Sequence, residues 1–318
     1  MAVTDSPKLP DVQAARSRIA LHIRQTPTVP AIAIKTPLTG CNHLWLKLEC
    51  LQVTGSFKAR GAVNKLLSLP PDTLQRGVIT ASGGNHGLAV AYAAWIAQVP
   101  ATIYLPHNTP ETKAEKLRQW GATVVREGAV WDDANQAAQA HRDRDGLAYL
   151  HPFADSQVIA GQGTIALEIL ETLPEVDTLV VSIGGGGLIG GMSLAVKALR
   201  PDLKIIGVEA IRAPTLYHSL HAGQIIELGS VTTRANTLAP RKTEPINFDI
   251  IQTCVDDVVL VSDEQMQLAA QWLWFELGIA AELSGAAAIA ALQSRAYCPH
   301  TQERVCTLIC GAGTDGIA

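Results

Sequence analysis

The segment Gly55-Ser56-Phe57-Lys58 places an amine at the start of a helical pattern. It follows a strand-like run at 44–49, and the apolar spacing through Val63 and Leu67 predicts a helix with Ser56 as its N-cap. A cation in the first helical turn is disfavoured by the exposed N–H groups there. A lysine whose charged form is disfavoured becomes a better nucleophile and Schiff-base former. The alternative interpretation is a solvated surface lysine.

A glycine-rich turn, Ser82-Gly83-Gly84-Asn85-His86-Gly87, lies between a predicted strand and a predicted helix. Successive backbone N–H groups at such a turn form a site for a carboxylate or a phosphate. Asn85 adds an amide that both donates and accepts hydrogen bonds, which suits a phenolic oxygen. A plain left-handed turn at a strand–helix junction is the alternative.

A second turn contains four successive glycines, Gly184, Gly185, Gly186 and Gly187, again between strand and helix. Such a run favours close approach of the backbone to a ligand phosphate. Another interpretation is open, because Gly185-x-Gly187-x-x-Gly190 matches the dinucleotide fingerprint and Glu209 follows at a strand end, where a ribose would be held. That pattern is weak evidence, since any run of glycines satisfies it.

The elements that position these turns alternate along the chain. Strands are predicted at 77–80, 101–105, 122–125, 178–182, 204–208, 257–261 and 305–310, and helices at 109–120, 131–142, 163–173, 263–277 and 285–293, among others. This alternation predicts βαβ units on parallel sheets, an α/β fold. An amphipathic helix with Val12, Ile19, Leu21 and Ile23 apolar is predicted before them, and residues 209–250 are predicted to be rich in loops.

Composition limits the functional classes. The 318 residues are 47% hydrophobic and 17% charged, with a net charge of -4, so no basic surplus indicates a nucleic-acid partner. The uncharged stretch 178–196 reads as strand, turn and helix, and no membrane span is predicted. Six cysteines without a CxxC pair indicate reduced thiols, and charged residues before any apolar run indicate no signal peptide, which together predict a cytoplasmic location.

Taken together, the motifs around Lys58, Asn85 and the four glycines, with the closing Cys310-Gly311, resemble the fold type II pyridoxal-phosphate enzymes. The threonine/serine dehydratase and serine racemase branch is the most similar, and the resemblance runs from about residue 17 to the C-terminus. It implies a two-domain, tryptophan synthase β-like fold in which each domain is a mostly parallel sheet flanked by helices. The large cofactor-binding domain would comprise residues 1–76 and 150–318, and a small mobile domain residues 77–149.

The resemblance also implies a role for each motif. Lys58 would hold pyridoxal 5'-phosphate as a Schiff base and then move protons. The four glycines and the Leu188 amide would bind the phosphate, and Asn85 the ring hydroxyl. Cys310 would lie beside the pyridine nitrogen, although a buried small hydrophobe is the commoner fate of a cysteine. The substrate carboxylate would be bound by the first turn, through Ser82, Gly83, Asn85 and His86, so that His86 need not be a catalytic base.

Departures from the family pattern refine these expectations. Gly83 stands where the racemase has a serine that acts as its second proton carrier, and Phe153 where it has an asparagine, so elimination is favoured over racemisation. The family's divalent-cation site would use Glu209 and the backbone of Ala213, but Thr215 replaces its further acid and is a weaker ligand. The resemblance thus implies a site for Mg²⁺ or Ca²⁺ that Thr215 weakens. Glu282 matches a family acid near the cofactor, and its role stays open.

We therefore expect a dehydratase that converts L-threonine or L-serine to a 2-oxo acid and ammonia, and that is a homodimer. The alternatives are a related enzyme acting on 3-hydroxyaspartate or phenylserine, a serine racemase, or, from a different class, a dinucleotide-binding oxidoreductase or a non-catalytic binding module. Because the sequence ends at Ala318, soon after Cys310, no regulatory domain and no feedback inhibition are expected.

Overall fold

The computed structural model describes residues 6–38 and 40–317, and their strands form two sheets. The strands are β1 (Thr28–Pro30), β2 (His43–Lys47), β3 (Val78–Ala81), β4 (Ala101–Leu105), β5 (Thr123–Arg126), β6 (Ala148–Tyr149), β7 (Thr178–Ser182), β8 (Lys204–Ala210), β9 (Asp257–Val261) and β10 (Arg304–Leu308). The α-helices are α1 (Leu9–Ile19), α2 (Lys58–Leu67), α3 (Pro71–Arg76), α4 (Asn85–Ala97), α5 (Glu111–Gln119), α6 (Trp131–Asp145), α7 (Ser156–Thr172), α8 (Gly187–Leu199), α9 (Thr215–Ala222), α10 (Pro245–Cys254), α11 (Asp263–Leu277) and α12 (Leu283–Gln293). Short 3₁₀ turns lie at Glu49–Leu51, Val53–Gly55 and Asn236–Leu238.

The larger sheet has six strands in the order β1-β2-β10-β7-β8-β9. All its neighbours are parallel except β1 and β2. Its central strand β7 is buried along its whole length, and successive side chains enter different cores. Val180 packs in the cluster that holds α11 and α12, whereas Leu179 and Val181 pack in the cluster that holds α1, α7, α8 and α10. Helices on both faces explain why these strands read as continuous apolar runs.

The smaller sheet has four parallel strands in the order β5-β4-β3-β6. All four lie between residues 78 and 149, inside the segment predicted to form a separate domain. The predicted α/β class, with mostly parallel sheets flanked by helices, is therefore confirmed. No helix in the part of the chain described is both long and apolar enough to cross a membrane.

Some elements differ from the sequence prediction. Ser56 does not cap α2: Phe57 precedes the helix, and Ser56 forms an isolated bridge with Gly311. The stretch 209–250 contains α9 and the first six residues of α10 in addition to its loops. The helix predicted from residue 163 begins earlier, because the Asp155 side chain accepts the N–H groups of Gln157 and Val158. Leu21 lies beyond α1 and is 94% exposed.

A buried network of four charged side chains anchors α2. Arg60 donates to both oxygens of Glu49, at 2.8 Å each, and to both oxygens of Glu168, at 2.6 and 2.9 Å. Lys47 donates to Glu168 at 2.5 Å and to the Thr26 carbonyl at 2.7 Å. The network joins β2, the turn after it, α2 and α7 with two positive and two negative charges. Because every charge is paired, α2 is fixed between these elements without a net buried charge.

Candidate active site

Lys58 is the first residue of α2, and its amine points into a pocket rather than into solvent. The Nζ atom donates to the carbonyl of Pro152 at 2.6 Å and lies 5.1 Å from the centroid of the Phe57 ring. Burial lowers the pKa of the Lys58 amine to about 8, and the nearby Glu282 opposes part of this shift. A large fraction of the amine is therefore neutral near pH 8, as a nucleophile requires.

The four-glycine turn forms a cradle at the carboxyl end of β7. Gly186 has a φ of +95° and precedes α8, and among the described residues no side chain caps that helix. A Cβ added at Gly184 would lie 2.5 Å from the Thr237 carbonyl oxygen, and one at Gly185 would lie 2.4 Å from the Phe153 ring. Only glycine fits these two positions. Because no described side chain caps α8, its first N–H groups are free to bind an anion.

Lys58 and the four-glycine turn line the same pocket. Its lining includes Lys58, Asn85, the four glycines, Leu188 and Cys310, all of which the sequence pointed to. The sequence analysis assigned no role there to Phe57, Ser182, Ile183, Ile189, Thr237 or Leu238, which also line it. Thr237 and Leu238 come from a stretch without periodicity, so only the fold brings them here. The Ser182 hydroxyl is buried and has no hydrogen-bond partner among the described residues, so it is available to a ligand phosphate. The cradle and this hydroxyl fit the phosphate of pyridoxal phosphate.

Asn85 and Glu282 meet in the pocket wall although they are 197 residues apart. The Asn85 side-chain amide donates to Glu282 Oε1 at 2.9 Å, and the Ser284 hydroxyl donates to the same oxygen at 2.7 Å. Burial raises the pKa of the Glu282 carboxyl above its usual range, while these hydrogen bonds act against the shift. Glu282 therefore orients the Asn85 amide and leaves one N–H and the carbonyl oxygen of that amide for a ligand.

Cys310 follows β10 and is a neutral thiol. Its Sγ atom donates to the Ser284 carbonyl at a distance of 3.6 Å. Burial raises the pKa of the Cys310 thiol far above its usual range, and the nearby Glu282 adds to the shift. A neutral thiol cannot keep a pyridine nitrogen protonated as a carboxylate would, so the cofactor ring would be a weaker electron sink.

The first glycine turn joins β3 to α4, which begins at Asn85. The Gly84 N–H donates to the Ser82 hydroxyl at 3.3 Å. His86 turns away from the pocket, and its Nε2 atom lies 2.9 Å from the Leu150 carbonyl oxygen. Burial, and then the charge of Lys58, lower the pKa of the His86 imidazole to about 3, so this ring is neutral. Ser82, Gly83 and His86 lie on the turn but do not line the pocket that holds Asn85.

The proposed cation ligands already have partners within the protein. The two oxygens of Glu209 accept the N–H groups of Leu216 and Tyr217, at 2.9 and 2.7 Å, and so cap α9. The Ala213 carbonyl accepts the N–H of Thr215, whose hydroxyl donates to the Pro240 carbonyl. Within the described residues no group of three or more His, Cys, Asp or Glu side chains could hold a metal. With both carboxylate oxygens of Glu209 capping α9 and no further acidic side chain beside them, the described residues do not fit a divalent cation.

Comparisons with known proteins agree with this site. The chain is 39% identical over 287 residues to the L-threonine ammonia-lyase of Thermotoga maritima, and the match covers 90% of this chain and 71% of that protein. Its fold is similar to that of maize serine racemase, with a TM-score of 0.91, 32% identity, and 96% and 94% of the two chains covered. The processed threonine deaminase isoform 2 of Solanum lycopersicum gives a TM-score of 0.90, 35% identity, and 96% and 89% coverage. The family model described as "Pyridoxal-phosphate dependent enzyme" matches residues 19–311, and the chain therefore belongs to the pyridoxal-phosphate-dependent enzymes.

Proposed function

We propose that this protein is a dehydratase that converts L-threonine or L-serine to a 2-oxo acid and ammonia by β-elimination. The observation that carries this proposal is the Lys58 amine, with its lowered pKa, in the pocket formed by the glycine cradle. The ammonia-lyase and deaminase among its relatives support the reaction class.

Each group in the pocket has a place in this reaction. Pyridoxal phosphate, when bound, withdraws electrons from the α-carbon of the substrate. Lys58 would hold the cofactor covalently, while the cradle at 184–187 and the Leu188 N–H would hold its phosphate. Asn85, oriented by Glu282, would hold the ring hydroxyl, and Cys310 would lie at the ring nitrogen. The turn that contains Ser82, Gly83, Asn85 and His86 would bind the substrate carboxylate through its backbone N–H groups.

The proton transfers would rest on Lys58. The lowered pKa of the Nζ atom would let it act as the neutral base that accepts the proton from the α-carbon of the substrate. The bond between the β-carbon and the hydroxyl oxygen then breaks, and the hydroxyl takes up a proton and leaves as water. The released enamine tautomerises to an imine, which water hydrolyses to the 2-oxo acid and ammonia.

We expect elimination rather than racemisation, because racemisation needs a second proton carrier on the face of the substrate opposite Lys58. Gly83 has no side chain that could carry a proton there. A Cβ at this position would lie 3.1 Å from Thr109 Cγ2 and 3.2 Å from Leu105 Cδ2, so a larger residue would press on β4 and the loop after it. Action on another β-hydroxy amino acid, such as 3-hydroxyaspartate or phenylserine, is the alternative within the family.

The wider organisation is part of the same proposal. Residues 77–149, which contain the four-stranded sheet, would form a small domain that moves toward the large one, residues 1–76 and 150–318. The enzyme would act in the cytoplasm as a homodimer. Its six cysteines are free thiols, as a reducing compartment would keep them.

The absorption spectrum of the purified protein, before and after borohydride, tests the proposal. We expect a visible band that borohydride abolishes in the wild type, and no such band in Lys58→Ala, because the band requires the covalent link to that amine. Lys65→Ala is the matched control, since Lys65 lies on the same helix but pairs with Asp155 at 2.7 Å. The release of oxo acid from L-threonine and L-serine is assayed next.

A protein that stays colourless with added pyridoxal phosphate would overturn the cofactor assignment. A Lys58→Ala variant that keeps the borohydride-sensitive band would overturn the assignment of the lysine. Normal spectra without oxo acid from either substrate would instead point to one of the alternative amino acids.

A further inference from the structure

The strand that leads into the first glycine turn lacks one hydrogen bond of its ladder. Along the pairing of β3 with β6, the Ala148 N–H donates to the Gly77 carbonyl and the Leu150 N–H to the Ile79 carbonyl. Parallel pairing repeats every second residue, so the Ala81 carbonyl should accept from residue 152. Residue 152 is a proline, which has no N–H. The ladder therefore leaves the Ala81 carbonyl without a backbone donor on this side.

Trp131 supplies the missing donor. Its indole N–H donates to the Ala81 carbonyl at 2.8 Å, in place of the backbone N–H that the proline lacks. Ala81 is fully buried, so its carbonyl oxygen has no ready access to water and would be costly to leave unpaired. Trp131 is the first residue of α6, and the residue remains 44% exposed.

The segment before Trp131 is held in place from two sides. The Glu127 N–H donates to the Leu105 carbonyl, and the His107 N–H donates to the Gly128 carbonyl, so this segment is tied to the end of β4. The Asp133 side chain accepts the N–H groups of Ala129 and Val130 and caps α6. The indole therefore reaches the Ala81 carbonyl from a fixed backbone.

We propose that Trp131 is a positioning residue, which fixes the last residue of β3 and thereby the turn at 82–86 that receives the substrate carboxylate. The inference rests on the proposed function for the identity of that carboxylate. Trp131 lies outside the pocket lining and so acts through the turn, not on the reacting atoms. Its removal should weaken binding of the carboxylate more than it slows the chemical steps that Lys58 performs.

The test compares the holoenzyme with its Trp131→Phe variant, which keeps an aromatic ring and removes the donor. L-Alanine is the probe, because it has the α-amine and carboxylate but no β-hydroxyl to eliminate. By calorimetry we expect its Kd to rise about three- to tenfold, with a similar rise in KM for L-threonine and a kcat within about twofold of the wild type. Trp95→Phe is the control, since Trp95 is half-exposed and packs on Trp120, and it should leave these values unchanged.

Hydrogen exchange followed by mass spectrometry separates positioning from general stability. In Trp131→Phe we expect faster exchange in peptides that contain residues 82–86 and unchanged exchange in the rest of the four-stranded sheet. An unchanged Kd for L-alanine, or faster exchange spread evenly over that sheet, would overturn the inference. If the wild type binds L-alanine but releases no oxo acid from L-threonine, the proposed reaction fails while the L-alanine and exchange measurements still decide the role of Trp131.

Discussion

At Lys58, burial and neighbouring groups act on one amine in opposite directions. Removal from water disfavours the ammonium form, whereas the nearby Glu282 favours it, and burial has the larger effect. The balance leaves a pKa of about 8, at which the neutral amine is abundant and the ammonium form is still accessible. A general base that works near neutral pH needs this property.

The rate at which the apoprotein combines with pyridoxal phosphate should therefore follow the neutral amine. We expect this rate to rise with pH, about tenfold per unit, and to level off above a midpoint near the Lys58 pKa of about 8. Glu282→Gln removes a group that raises this pKa, so its midpoint should lie at lower pH. Stopped-flow absorbance measures the rate, and Lys65→Ala should keep the wild-type midpoint. A midpoint that moves to higher pH in Glu282→Gln would contradict the electrostatic argument.

Individual residues show which parts of the site could be predicted from the sequence and which could not. The position of Lys58 in the first turn of a helix follows from local spacing, and so does the placement of both glycine turns after strands. The contacts between Asn85 and Glu282, and between Trp131 and Ala81, join residues distant in the chain, and no local pattern reports them. The resemblance to a family placed Glu282 near the cofactor but did not give its partner.

The position of helix α2 depends on charged side chains that are buried in the protein. Arg60 is fully buried and is shared by Glu49 and Glu168, which come from a turn and from α7. Buried pairs of this kind contribute little net stability compared with apolar packing, but the loss of one partner leaves an uncompensated charge. The network therefore holds the helix that carries Lys58 in one position.

Replacement of this arginine tests that dependence. We expect Arg60→Met to lower the free energy of unfolding by about 3–5 kcal/mol, because two buried carboxylates would share the single charge of Lys47. Arg16→Met is the control, since Arg16 pairs with Glu171 at the surface and should cost at most about 1 kcal/mol. Urea denaturation measures both, and similar losses in the two variants would count against a special role for the network.

Helices α9 and α10 were not predicted from the sequence for a common reason, which is that the residue just before each helix makes no side-chain cap. The N-terminus of α9 is capped by Glu209, a residue of β8 and not of the residues just before the helix. The residue before α10 also makes no side-chain cap, and the helix is signalled only by Pro245 in its first turn. Elsewhere the alternation of strands and helices can be predicted from the sequence, because buried parallel strands are continuous apolar runs.

For the whole molecule, the site depends on both sheets. The turn proposed to bind the carboxylate follows β3 of the four-stranded sheet, whereas the glycine cradle and Cys310 follow β7 and β10 of the six-stranded one. A substrate held at its carboxylate by one sheet and at its amine by the cofactor of the other would bridge the two. This geometry is the physical basis for the proposed movement of residues 77–149.

Small-angle X-ray scattering of the holoenzyme should detect that movement. We expect L-alanine to lower the radius of gyration, because its carboxylate would bind the turn after β3 and its amine would bind the cofactor held by the six-stranded sheet. Propionate has the carboxylate alone and should leave the radius unchanged. Equal effects of the two compounds, or no effect of L-alanine at saturation, would contradict closure by bridging.

The strand order of the larger sheet has a consequence for synthesis on the ribosome. Strand β10 is the last of the described strands in chain order, yet it lies inside this sheet and pairs with β2 on one side and β7 on the other. The six-stranded sheet therefore cannot be completed until β10 has been translated and has left the ribosome. The four-stranded sheet is built from one continuous segment and can form earlier. Nascent chains would thus expose the unpaired edges of β2 and β7 until β10 emerges, and chaperones would be most needed over that interval.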